Sequence, residues 1–212
     1  MKPATIKICG LTRGEDVRAG VEAGADLFGF VHHEPSPRHV SEADLVPLVA
    51  LVPEGKASVL VVVDGEVAAL ARLMENSGAT FLQLCGDQDP EVFKGFGFSI
   101  LRRIGVQEGA LVQMARWFGV AEGFVLDHPS SAGGSGLLVD QTCARELAAT
   151  GPCLLAGGLD PETVASAIRA TCPLGVDASS RLESSPGQKD PQRVRDFVRH
   201  AQRAFAQQES PS

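Results

Sequence analysis

The strongest constraint on this chain is the order in which two kinds of apolar pattern recur. Strand-like runs cover 5–10, 27–33, 57–63, 81–86, 99–106, 123–128, 153–156 and 174–178. Between them fall segments of helical character at 14–24, 42–51, 66–76, 109–118, 141–150 and 190–205, one starting at Asp160, and a weak one at 90–94. The β-branched run at 57–63 reads as a strand buried on both faces. Strict alternation of this kind implies a parallel sheet with helices outside it. Eight such units closing on themselves give an α/β fold, a (β/α)8 TIM barrel, and 212 residues lies near the short end for one. No insertion is long enough for a second domain, so residues 1–212 are expected to form one, with 206–212 a disordered tail. A doubly wound open sheet is the alternative.

The two final units decide between them. Cys153-Leu154-Leu155-Ala156 ends in Gly157-Gly158, and Asp160-Pro161-Glu162 reads as a helix start with Asp160 as N-cap. Leu174-Gly175-Val176-Asp177-Ala178 ends in Ser179-Ser180. Small residues at strand ends let backbone N–H groups approach a ligand, and a following helix start adds partial positive charge. The pair reads as a seat for a phosphate. Barrels place that seat after their seventh and eighth strands, which favours closure over the open sheet.

In a barrel, the C-terminal strand ends face the active site. Read in order they are Cys9, His32 and His33, Asp64, Cys85, Gly105, Asp127, Gly157-Gly158 and Ser179-Ser180. Cys9 reads either as an inert core thiol or, once ionised, as a proton-abstracting base; a nearby anion seat and arginine would favour its thiolate. Gly10 keeps the mouth open beside it. Alternation puts Lys7 on the same face one layer below, and a buried lysine needs a partner, for which Asp177 on the neighbouring strand is expected. Asp127 follows an apolar run, where a carboxylate is rarely a packing residue, and suits a general acid. The Ser/Gly-rich loop 130–136 lies beside it. Arg38, between Pro37 and His39 in a loop stiffened by prolines, suits bidentate capture of a carboxylate. Arg181 adds a possible charge at the phosphate. His32 and His33 with Asp64, Asp127 and Asp177 would allow a metal-dependent sugar-phosphate epimerase, against which the strand ends offer Cys9 and Cys85.

A net charge of −7 argues against nucleic-acid binding, and means that an anionic substrate needs a local positive site. Five cysteines without a C-x-x-C pair argue against a disulfide framework or zinc ribbon. No apolar run is long enough for a bilayer, and the first residues lead straight into a strand, so the cytoplasm is expected.

Taken together, the motifs Lys7-Ile8-Cys9-Gly10-Leu11-Thr12, Ser36-Pro37-Arg38-His39-Val40, Gln83-Leu84-Cys85-Gly86, Leu126-Asp127 with Gly133-Gly134-Ser135-Gly136, Leu155-Ala156-Gly157-Gly158 and Gly175-Val176-Asp177-Ala178-Ser179-Ser180 resemble the phosphoribosylanthranilate isomerase family. Glu183 and Pro186-Gly187-Gln188-Lys189-Asp190 also fit. The resemblance implies an Amadori rearrangement in tryptophan biosynthesis, with Asp127 as general acid and Cys9 as general base. It implies that Arg38 binds the anthranilate carboxylate. Gly134, Ser135, Gly157, Gly158, Asp177, Ser179 and Ser180 fall in the substrate site. It implies no metal and no cofactor, a small phosphosugar as substrate, no nucleic-acid or membrane partner, and a monomer or homodimer. The chain departs from the family at Cys85 (usually His), His32 (usually Phe), Arg181 (usually Gly) and Leu60-Val61-Val62 (usually Gly-Val-Phe). His32 and Arg181 are expected as added cations at the pocket rim. A related phosphosugar isomerase and an inactive phospho-ligand binder are the alternatives.

Overall fold

The computed structural model describes residues 1–129 and 139–208. Eight parallel strands close into a barrel in sequence order. They are β1 (Thr5–Ile8), β2 (Leu27–Val31), β3 (Ala57–Val62), β4 (Phe81–Leu84), β5 (Ser99–Gly105), β6 (Gly123–Asp127), β7 (Cys153–Leu155) and β8 (Gly175–Ala178). The helices outside are α1 (Gly14–Ala23), α2 (Glu42–Val49), α3 (Val67–Ser77), α4 (Ala110–Ala115), α5 (Gln141–Ala148), α6 (Val164–Thr171) and α7 (Pro191–Gln208).

The apolar runs are continuous because both strand faces are buried. Ile6, Phe28, Leu60, Leu82, Phe124 and Val176 pack outward against the helices in one core. Leu27, Val59, Val61, Leu101, Val125 and Leu154 pack inward in a second, which fills the barrel. The barrel closes where β8 pairs with β1, with Thr5 opposite Gly175 and Lys7 opposite Asp177. Gly175 is required there: a Cβ would stand 2.2 Å from the Thr5 carbonyl oxygen.

Three elements differ from the sequence reading. Between β4 and β5 there is only a 3-10 turn, Pro90–Phe93. Gly95 and Gly97, both in the left-handed region (φ +76° and +85°), stop it from extending. Asp160 does not cap α6 directly. Its carboxylate accepts the Thr163 N–H at 2.8 Å, closing a turn over Pro161-Glu162, and α6 begins at Val164. The last helix runs to Gln208, three residues into the expected tail, with Val194, Phe197, Val198, Ala201 and Phe205 on its buried face. Residues 209–212 lie outside the described residues.

One feature was absent from the sequence reading. After β8 the chain makes a 3-10 turn, Ser180–Leu182, and then a two-stranded hairpin of β9 (Glu183–Ser185) and β10 (Gln188–Lys189). The hairpin is tied to the end of β1 by Thr12 Oγ1, which donates to the Gly187 carbonyl at 2.5 Å.

Closure through Gly175 gives a first prediction. Gly175→Ala is expected to destabilise the fold by at least ~2 kcal/mol in urea unfolding, because the clash is with backbone and not with a movable side chain. An unchanged midpoint would show that β8 meets β1 less tightly than described.

Candidate active site

A cavity of about 280 Å³ opens at the C-terminal end of the barrel, at the small end for ligand sites. Cys9, Arg38, Asp127, Gly157, Gly158, Asp177, Ser179 and Ser180 all line it, as do Cys85 and Arg181. The ends of β1, β4, β6, β7 and β8, far apart in sequence, therefore meet at one cavity with the loop after β2, while His32, Asp64 and Gly105 do not line it. Gly134 and Ser135, with the rest of the 130–136 loop, lie outside the described residues.

Cys9 stands at the end of β1 and is 8% exposed. Gly29 of β2 gives it room, since a Cβ there would be 2.8 Å from Sγ. Lys7 below it is wholly buried, with Nζ 2.8 Å from Asp177 Oδ2, the pairing expected from alternation and closure. Burial opposes the Lys7 charge, but Asp177 and the Cys9 sulfur outweigh it and hold the ammonium above its usual range. For Cys9 the balance is the reverse. Burial pushes the thiol up, Lys7 pulls it down, and Asp177 adds to the rise. Nearby cations, Lys7 and Lys189, favour the thiolate as the sequence reading expected of a local positive site, but burial outweighs them. Asp177 thus serves Lys7 first; its Oδ1 has no hydrogen-bond partner among the described residues.

Asp127 ends β6 on the inner face. Its Oδ1 accepts the His128 N–H at 2.8 Å, and its Oδ2 faces Arg103 Nε at 3.3 Å. Arg103 also donates to the His128 carbonyl at 2.6 Å and lines the cavity. Sequence reasoning passed over this arginine, choosing Gly105 as the β5 strand end. The signal was present: Leu101 points into the barrel, and two residues on, Arg103 shares its face.

Arg38 crosses the mouth over Gly10, where a Cβ would lie 2.5 Å from Arg38 Cδ. So Gly10 clears a path for the arginine as well as keeping the mouth open. The guanidinium is already bidentate to a protein carboxylate: Nε and Nη2 donate to Glu183 at 2.7 and 2.8 Å. The Nε/Nη2 edge is thus taken, which leaves the Nη1 side for the expected capture of a ligand carboxylate.

At the phosphate seat Gly157 and Gly158 both adopt left-handed backbone (φ +77° and +67°). The N–H groups of Gly158 and Ser180 donate to no carbonyl among the described residues. Such N–H groups, on residues that line one cavity, suit an anion.

One expectation about the rim fails. His32 lies outside the mouth, in a groove it shares with Asp64, Glu42 and Arg72. Its Nδ1 pairs with the Val40 carbonyl at 2.9 Å, and its ring rests on His39. His33, one residue on, is the histidine that lines the cavity. With His32 and Asp64 in that groove, the residues of the alternative epimerase reading do not come together among the described residues. Cys85 does line the cavity, buried, with its thiol pushed up to about 11 by burial.

The family model for N-(5′-phosphoribosyl)anthranilate isomerase matches residues 6–200. The chain belongs to this family. An N-(5′-phosphoribosyl)anthranilate isomerase of Geobacter metallireducens is 36% identical over 92% of this chain and 98% of its own length. The phosphoribosyl anthranilate isomerase structure from Thermotoga maritima superposes with a TM-score of 0.86 at 28% identity, covering 94% of this chain and 98% of that one. A further member of the family, solved in complex with reduced 1-(o-carboxyphenylamino)-1-deoxyribulose 5-phosphate, superposes at 0.84 with 28% identity, covering 94% and 98%. Among the described residues no helix is long and apolar enough to cross a membrane.

The Lys7 contact makes a second prediction. Alkylation of Cys9 by iodoacetamide, followed on its own peptide by mass spectrometry, is expected to begin only above the ordinary thiol range of about 8.5. The double variant Lys7→Met/Asp177→Asn removes the pair without stranding a buried charge. It should move the onset higher still, since the lost ammonium was the larger influence. An onset that stays put would mean that Lys7 does not act on the sulfur.

Proposed function

We propose that this chain converts N-(5-phosphoribosyl)anthranilate to its 1-deoxyribulose-5-phosphate ketose, the rearrangement step of tryptophan biosynthesis, in the cytoplasm. The observation that carries this reading is that Cys9 from β1, Asp127 from β6 and the small-residue turns after β7 and β8 line a single cavity. Family membership over nearly the whole chain supports the same reaction.

On this reading Asp127 protonates the ribose ring oxygen, and the ring opens to a Schiff base. Cys9 then removes the C2′ proton, giving an enolamine. A proton returned to C1′ and one lost from the C2′ oxygen complete the ketose. Carbon 1′ is reduced as carbon 2′ is oxidised within one molecule, so the electron count requires no outside redox partner.

Arg103 fixes the orientation of Asp127 from β5, and Lys7 supplies the cation that the Cys9 sulfur needs when it ionises. The N–H groups at Gly158 and Ser180 are assigned to the phosphate, together with Ser179, Gly157 and, from the resemblance, Gly134 and Ser135. Arg38 is assigned to the ring carboxylate through its Nη1 side. These N–H groups and Arg38 supply the local positive field that an anionic substrate needs against an overall charge of −7.

The test is turnover of phosphoribosylanthranilate, followed by the disappearance of its fluorescence. Cys9→Ser and Asp127→Asn should each slow turnover by at least about 100-fold, with unchanged urea midpoints. Ordinary turnover in either variant would remove that residue from the chemistry. A wild-type protein with no turnover at all would point instead to a phospho-ligand binder on the same fold.

A further inference from the structure

The hairpin β9–β10 adds no side chain to the cavity wall, yet two of its residues are buried charges that grip groups on that wall. Glu183 holds the Nε/Nη2 edge of Arg38 at 2.7 and 2.8 Å. The same Glu183 Oε1 accepts from Lys189 Nζ at 2.8 Å, and Nζ also donates to the Ser179 carbonyl at 3.1 Å. Lys189 is only 1% exposed, and its backbone N–H is fixed on Asp16 Oδ2 at 3.2 Å. Asp16 is in turn held by Arg13 at 2.7 and 2.9 Å.

Burying three charges to fasten a short hairpin is a poor route to stability, because an apolar cluster of the same volume would serve as well or better. What the arrangement does supply is direction. A guanidinium on a long stem samples many orientations, and Glu183 fixes the plane and rotation of this one. Arg38 lines the cavity, and its Nη1 makes no hydrogen bond to the described residues. Burial disfavours the Glu183 carboxylate, but Arg38 and Lys189 outweigh it and hold Glu183 below the usual carboxylate range. The clamp is therefore ionic at neutral pH.

We propose that Glu183, backed by Lys189, is a positioning residue for substrate recognition: it aims Arg38 at the aromatic carboxylate of the ligand without touching the ligand itself. The inference rests on the isomerase reading for the identity of that carboxylate. It assigns to the hairpin a role in selecting ligands that carry one.

The experiment compares two ligands by calorimetry: reduced 1-(o-carboxyphenylamino)-1-deoxyribulose 5-phosphate, and the same compound lacking the ring carboxylate. In Glu183→Gln the affinity for the carboxylated ligand should fall about 10- to 100-fold, while that for the carboxylate-free ligand stays within about 2-fold of wild type. Glu183→Asp keeps the charge but shortens its reach, and should show the same selectivity with a smaller loss. That variant also covers the case in which Glu183→Gln does not fold. In turnover the KM should rise with kcat nearly unchanged, as for an anchor remote from the reacting carbons.

Equal losses for both ligands would mean that Glu183 is only scaffold, and no loss for either would mean that Arg38 needs no clamp; both overturn the proposal. Wild-type protein that binds neither ligand overturns the isomerase reading, and this inference with it. Selective loss in a protein that binds but does not turn over would leave the positioning role standing and remove only the catalysis.

Discussion

The arrangement at the mouth of this barrel depends on how the last strand meets the first. Pairing of β8 with β1 places Lys7 opposite Asp177 and brings their side chains together inside a closed ring of strands. A lone ammonium at that depth would be untenable, as would a lone carboxylate. Each makes the other tolerable only in this register, since a one-residue slip of either strand would turn its charge onto the helix side of the sheet and leave the other alone inside. The same pair lies directly under Cys9. Closure, core polarity and the electrostatics of the thiol are thus consequences of one contact.

The pattern recurs around the cavity. Arg38 is matched by Glu183 and Arg103 by Asp127, as Lys7 is by Asp177. Each pair joins groups far apart in the chain, so the charges hold the mouth together as well as equipping it. An acidic protein that must bind an anion gains a local cation in this way without leaving it unpaired beforehand. The matched carboxylates also fix which face of each guanidinium is presented, and that precision is what proton transfer between two positioned groups requires.

Much of this was legible in the chain itself. Eight alternations sufficed for the barrel, and strand ends sufficed for Cys9, Asp127 and the two small-residue turns, because position along a barrel strand fixes what a residue faces. Lys7 with Asp177 followed from alternation plus closure. Three features were missed for separable reasons. The hairpin at 183–189 is short and polar, so it carries no periodic signal, and the Arg38–Glu183 contact spans 145 residues. Arg103 was hidden by ending β5 at Gly105, although the two-residue period from Leu101 pointed to it. His32 and His33 are adjacent, and alternation lets only one face the mouth; the strand end alone did not say which. The balance of influences on the Cys9 thiol was not legible either, because burial, the largest of them, is a property of the packed barrel and not of the sequence neighbourhood.

The most direct test is a crystal structure of this protein with reduced 1-(o-carboxyphenylamino)-1-deoxyribulose 5-phosphate bound. The account predicts the phosphate on the N–H groups of Gly158 and Ser180, and the sugar chain lying between the Cys9 sulfur and the Asp127 carboxyl. A phosphate bound elsewhere, or a sulfur turned toward the aromatic ring and away from carbon 2′, would contradict it.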